Sequence, residues 1–102
     1  MAKAKKKAAS KVIKPGKNVT APRADSFRKK LLKVLGEKNR ELDIDFSTVD
    51  TVDSVGLGII IAAHNSLKNV GGNLRLINVP EEILGIFETT GLDQHFVVRR
   101  PE

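Results

Sequence analysis

Leu42-Asp43-Ile44-Asp45-Phe46, then a loop from Ser47 to Asp53, then Ser54-Val55-Gly56-Leu57-Gly58 and an apolar run behind it decide how this chain folds. In the first piece Leu42, Ile44 and Phe46 point one way and Asp43 and Asp45 the other, which predicts a strand with one face on a core. From about Val55 to Val70 the spacing turns helical. Leu57, Ile60, Ile61, His64 and Leu67 share a face that Ile59, Ala62 and Ala63 widen, so this helix is expected to be the most buried. Gly71-Gly72 stops it, and Asn73-Leu74-Arg75-Leu76-Ile77-Asn78-Val79 predicts a second strand.

Working outward, Phe27, Leu31, Val34 and Leu35 form one apolar stripe, predicting a helix from Pro22 to about Lys38. Pro22 suits its first turn and Gly36 its end. Val12-Ile13 predicts a short strand that turns at Pro15-Gly16, and Asn18 to Ala21 a second extended piece. Downstream, Pro80 opens a short helix carrying Ile83, Ile86, Phe87 and Thr90; Gly91 closes it. Phe96-Val97-Val98 predicts a last strand. Strand and helix alternate with short loops, which implies parallel crossovers. The expected class is α/β, with a small mixed β-sheet and about three to four helices packed on it.

Composition removes several kinds of function. A chain of 102 residues supports one modest core and no large enclosed active site. Without cysteine there is no disulfide framework, thiolate metal site or cysteine nucleophile. Four Phe, no Trp and no Tyr make a poor platform for stacking bases. No apolar run reaches membrane-spanning length, and no apolar segment follows the N-terminal lysines as in a secretory signal, so a soluble cytoplasmic protein is expected. Of the 18 basic residues, seven are lysines within residues 1–17, which hold no acid; 11 basic residues then face 12 acidic ones. Residues 1–10 read as a basic, disordered tail, and the chain beyond residue 17 as electrically ordinary.

The turn at Asp53-Ser54-Val55-Gly56-Leu57-Gly58 is the most informative site. Ser54 is placed to cap the helix that follows, its hydroxyl accepting from a first-turn N–H. Two glycines in a first turn weaken a helix, each by about 1 kcal/mol relative to Ala. Their missing side chains leave a bare surface beside the hydroxyl, suited to close approach by another protein. A phosphate on Ser54 would add about −1.5 to −2 charge beside Asp53 and near Asp50, at the positive end of a helix.

The segments Leu42 to Phe46, Val52-Asp53-Ser54-Val55-Gly56-Leu57-Gly58, Gly71 to Val79 and Phe87-Glu88-Thr89-Thr90-Gly91-Leu92-Asp93, in that order, resemble a STAS domain of the anti-sigma factor antagonist type. The resemblance covers roughly residues 12–98, so residues 11–102 are expected to form a STAS-like domain. It implies that Ser54 is the residue phosphorylated by an anti-sigma factor that is itself a serine kinase. The unphosphorylated form would bind that kinase, and a PP2C-type phosphatase would reset the switch. Asp53, Ser54, Val55, Gly56, Leu57 and Gly58 then fall on the partner-binding turn. Thr20 falls roughly where the family often carries an Asp near the phosphosite, and Val55 stands where a second hydroxyl is frequent. A monomer or weak homodimer is expected, with no cofactor, no metal and no catalysis of its own.

Other signals lead less far. Asp43, Asp45, Asp50 and Asp53 flank one loop and could suggest a metal site, but Asp43 and Asp45 suit the solvated face of a strand. Gly56-x-Gly58 lacks the third glycine of a dinucleotide fingerprint, since Ile61 stands there. His64 and His95 have no second ligand at useful spacing. The lysine tail offers at most weak, salt-sensitive contact with nucleic acid. The competing reading is a non-phosphorylated STAS-type structural subunit or scaffold of a larger signalling or transport assembly.

Overall fold

The structure is a computed structural model that describes residues 10–36, 41–94 and 97–101. The lysine tail expected at residues 1–10 lies outside the described residues except for Ser10, as do His95 and Phe96. The described residues form six strands and three α-helices, in the order β1 (Ser10–Ile13), β2 (Asn18–Val19), α1 (Ala24–Gly36), β3 (Glu41–Asp45), β4 (Thr51–Val52), α2 (Ser54–Asn69), β5 (Asn73–Ile77), α3 (Glu81–Thr90) and β6 (Val97–Val98). Short 3₁₀ turns at Ala21–Arg23 and Leu92–Gln94 precede α1 and β6.

The α/β class is what the structure has. β1, β3, β5 and β6 form one sheet in that order, and β2 pairs with β4 apart from it. Every pairing among the described residues is parallel, which corrects the expected mixed sheet: each main-sheet strand reaches the next through a helical crossover and so runs the same way. Each helix links one strand of the main sheet to its next neighbour in the same direction. Right-handed crossovers of that kind place their helices on one side of the sheet.

Burial follows that geometry. Leu42, Ile44, Leu74 and Leu76 face the helices and are buried. Glu41, Asp43, Asp45, Arg75 and Ile77 alternate with them onto a partly exposed face. There Arg75 Nε donates to Asp43 Oδ1 at 2.7 Å, directly across the β3–β5 register. Burial pushes the Asp45 carboxyl up, but bonds from Ser47 and Asn78 and the nearby Lys14 charge outweigh it and hold it below its ordinary value. Both aspartates thus have structural partners on a solvated strand face, as their alternation predicted.

Phe27, Leu31 and Val34 of α1, Ile59, Ile60, Ala63 and Leu67 of α2, and Ile83, Leu84 and Phe87 of α3 fill the core. The Phe46 and Phe87 rings meet edge to face with centroids 5.9 Å apart. Gly71, at φ 77°, lets the chain leave α2 while Gly72 N–H bonds back to the Leu67 carbonyl at 2.7 Å.

Candidate functional site

β2 and β4 are two residues each, yet their pairing builds the corner on which the site stands. Val19 lies opposite Val52, so the chain on either side of them brings Thr20 and Asp53 to one end of the ribbon. The Asp53 N–H donates to the Val19 carbonyl at 3.1 Å, and Thr51 Oγ1 donates to Asn18 Oδ1 at 2.6 Å. Thr20 is half-buried; its carbonyl accepts from Arg23 N–H, and its side chain caps nothing.

Here the structure corrects the expected cap. α2 begins at Ser54, and its N-cap is Asp53. Asp53 Oδ1 accepts from the Gly56 N–H at 3.0 Å, and Oδ2 accepts from the Ala21 N–H at 2.9 Å. Asp and Ser are comparable caps in isolation. A carboxylate has two oxygens, however, and the second finds a donor from the turn before α1. The Gly56 N–H and then the Ala21 N–H hold the Asp53 carboxyl below its usual range, against a smaller opposing effect of burial. Ser54 is therefore the first helical residue, exposed, and its hydroxyl makes no hydrogen bond among the described residues.

The two glycines divide. A Cβ on Gly56 would collide with the Val19 carbonyl oxygen and lie 2.6 Å from Val19 Cγ1, so Gly56 is buried where helix meets ribbon. Its missing side chain serves packing and offers no surface, contrary to the expectation that both glycines bare the turn. Gly58 is exposed with open space around it. Leu57 is half-buried against the core, and Val55 is 41% exposed.

Ser54, Val55 and Gly58 open onto a groove of ≈ 380 Å³ between α1 and α2. Its far wall is Arg28, Leu31 and Leu32, and its floor includes Ile59, Ala62 and Ala63. Leu32 is 61% exposed. Sequence reasoning missed both Arg28 and Leu32, although Leu32 carried a signal: it is a large apolar residue outside the stripe that α1 turns to the core.

A second groove, of ≈ 320 Å³, lies between β1 and α1, lined by Lys11, Lys14, Lys30 and Lys33 with Val12, Ile13 and Val34. Lys11 and Lys14 belong to the basic first 17 residues, and with Lys30 and Lys33 of α1 they make this face cationic. Among the described residues no group of three His, Asp or Glu side chains could hold a metal ion, and no helix is long and apolar enough to cross a membrane.

The family model of the STAS domain matches residues 1–101. The chain is 36% identical over 69 residues to the anti-sigma-B factor antagonist of Bacillus subtilis, a match covering 68% of this chain and 62% of that protein. The match thus spans less than two thirds of that relative's length. The Thermotoga maritima protein TM1081 superposes with a TM-score of 0.79 at 22% identity, over 90% of this chain and 80% of that one. The anti-sigma factor antagonist SpoIIAA in its unphosphorylated form gives a TM-score of 0.75 at 19% identity, over 87% of this chain and 78% of that one. At such identities the two structures speak for the fold.

Proposed function

Because this chain belongs to the STAS domain family, we propose that it is a regulatory binding module of the anti-sigma factor antagonist kind, switched by phosphorylation at Ser54. In its unmodified form it binds a serine-kinase anti-sigma factor through the α1–α2 groove. The carrying observation is the division of labour at the turn: Asp53 caps α2, which leaves the Ser54 hydroxyl exposed at the rim of an apolar groove.

In the transfer step the Ser54 oxygen attacks the γ-phosphorus of ATP held by the kinase. The bond to the bridging oxygen breaks, ADP leaves, and the hydroxyl proton passes to a base on the kinase. The new charge, about −1.5 to −2, stands beside Asp53 and disfavours an acidic or apolar contact at the groove. A PP2C-type phosphatase removes it by hydrolysis. The module supplies the acceptor and the docking surface, and the partner supplies the catalysis. Its place of work is the cytoplasm, where both enzymes would meet it.

Incubation with the host's candidate kinase and ATP, followed by intact-mass measurement, tests the reading. One added phosphate is expected on the natural chain and none on Ser54→Ala. In cells Ser54→Ala is expected to stay bound to the kinase and Ser54→Asp to be released. If no kinase of the host binds or modifies the protein and the two variants behave alike, the structural-subunit reading takes its place.

A further inference from the structure

We propose that Arg28 is the internal receptor for a phosphate on Ser54, exchanging its ion pair with Asp25 for one with the phosphoserine across the mouth of the α1–α2 groove. The proposal rests on the phosphoacceptor reading of Ser54 and adds the group that responds to the modification within the molecule.

Both helices start from one corner, because the Ala21 N–H ahead of α1 is bonded to the Asp53 carboxylate at the head of α2. Ser54 is the first residue of α2, and Arg28 lies one turn into α1. One turn advances about 5.4 Å along the helix, within the length of an arginine side chain. Both residues line the same groove, and Arg28 is the charged side chain among those that do.

The present hold on Arg28 is weak. Its Nη1 meets Asp25 Oδ1 at 3.2 Å, and the two side chains are 51% and 89% exposed. An exposed pair of this kind is worth little. A phosphate offers more charge than a carboxylate and three acceptor oxygens, which a guanidinium fork can engage in pairs. Asp53 cannot compete for Arg28 on equal terms, since its two carboxylate oxygens already accept backbone N–H groups. Its negative charge instead repels the phosphate. Asp25 and Asp53 thus frame a site in which Arg28 is the nearby cation that the groove provides. Drawn across the groove mouth, the guanidinium covers the apolar rim that Leu32 on one side and Val55 on the other present in the unmodified chain.

The test places phosphoserine at position 54 during translation of the full chain, so that no kinase is needed, and titrates it by phosphorus NMR. The second pKa of a free phosphoserine lies near 6. It is expected to be lower in the natural background than in Arg28→Gln by roughly half a unit or more, with part of the difference restored in Arg28→Lys. The Arg28 Nε–H resonance is expected to shift on phosphorylation. Equal titration with and without Arg28, together with an unmoved Nε–H signal, overturns the proposal. Arg28 is exposed, so Arg28→Gln is expected to fold, and an unchanged melting curve of its unphosphorylated form verifies that. A failed pairing leaves the phosphoacceptor reading standing. Absence of phosphate on Ser54 in cells would remove that reading without altering the titration.

Discussion

Asp53 Oδ2 accepts a hydrogen bond from the Ala21 N–H at 2.9 Å, joining the head of α2 to a turn 32 residues earlier in the chain. The same carboxylate caps α2 through Gly56, so a single side chain sets the start of that helix and ties it to the turn that leads into α1. Much of the site's behaviour follows from that double contact.

Asp53→Ala is expected to lower the melting temperature, because it orphans two backbone donors at once. Asp53→Asn should be milder, since it retains one acceptor oxygen. The folded-state pKa of Asp53 lies below its ordinary value. Its contribution is therefore complete above the unfolded value, near 3.9, and is lost as pH falls through that value towards the folded one. Urea unfolding of the natural chain and Asp53→Asn at pH 7 and at pH 3 should show a gap that narrows in acid.

Ser54→Ala should leave stability within about 0.5 kcal/mol of the natural chain, because the hydroxyl caps nothing. Were Ser54 the N-cap, its loss would cost about 1 kcal/mol. Thermal melts of the two proteins decide between these, and the same variant then serves as a clean non-phosphorylatable control.

Gly56→Ala and Gly58→Ala should move in opposite directions. The first forces a methyl group into the Val19 backbone and is expected to cost about 1–3 kcal/mol, as overpacking does. The second meets open space and gains helix propensity, up to about 1 kcal/mol. If a partner lies across the groove, Gly58→Ala should weaken that binding while raising the melting temperature, which calorimetry and a melt on one sample would reveal.

Leu32→Lys should leave the melting temperature nearly unchanged, since the side chain is 61% exposed, yet weaken binding of the kinase by tenfold or more, about 1.4 kcal/mol. Val12, 55% exposed in the other groove, supplies the control: Val12→Lys should leave kinase binding intact. Titration of the three proteins with the partner reads both outcomes.

The strands and helices were legible because their signals are local. The alternation of Leu42, Ile44 and Phe46 named its strand, the stripe of Phe27, Leu31 and Val34 named α1, and Gly71-Gly72 named the end of α2. The two-residue strands β2 and β4 are too short to show a period, and Thr51-Val52 read as loop. That omission hid the corner they build, and with it the reason Gly56 must be glycine.

Sequence alone therefore determined the α/β class, the order of the main-sheet strands and their helices, and the turn on which Ser54 stands, since periodicity and turn chemistry act over a few neighbouring residues. It also carried the family resemblance in four separated motifs. Only the tertiary structure decided which side chain caps α2, which glycine faces inward, and that Arg28 and Leu32 share a groove with Ser54. It likewise gathered Lys11 and Lys14 of the basic N-terminal stretch with Lys30 and Lys33 of α1 onto one face. Each of these depends on contacts between residues far apart in the chain, and a local pattern holds no record of where the other partner lies.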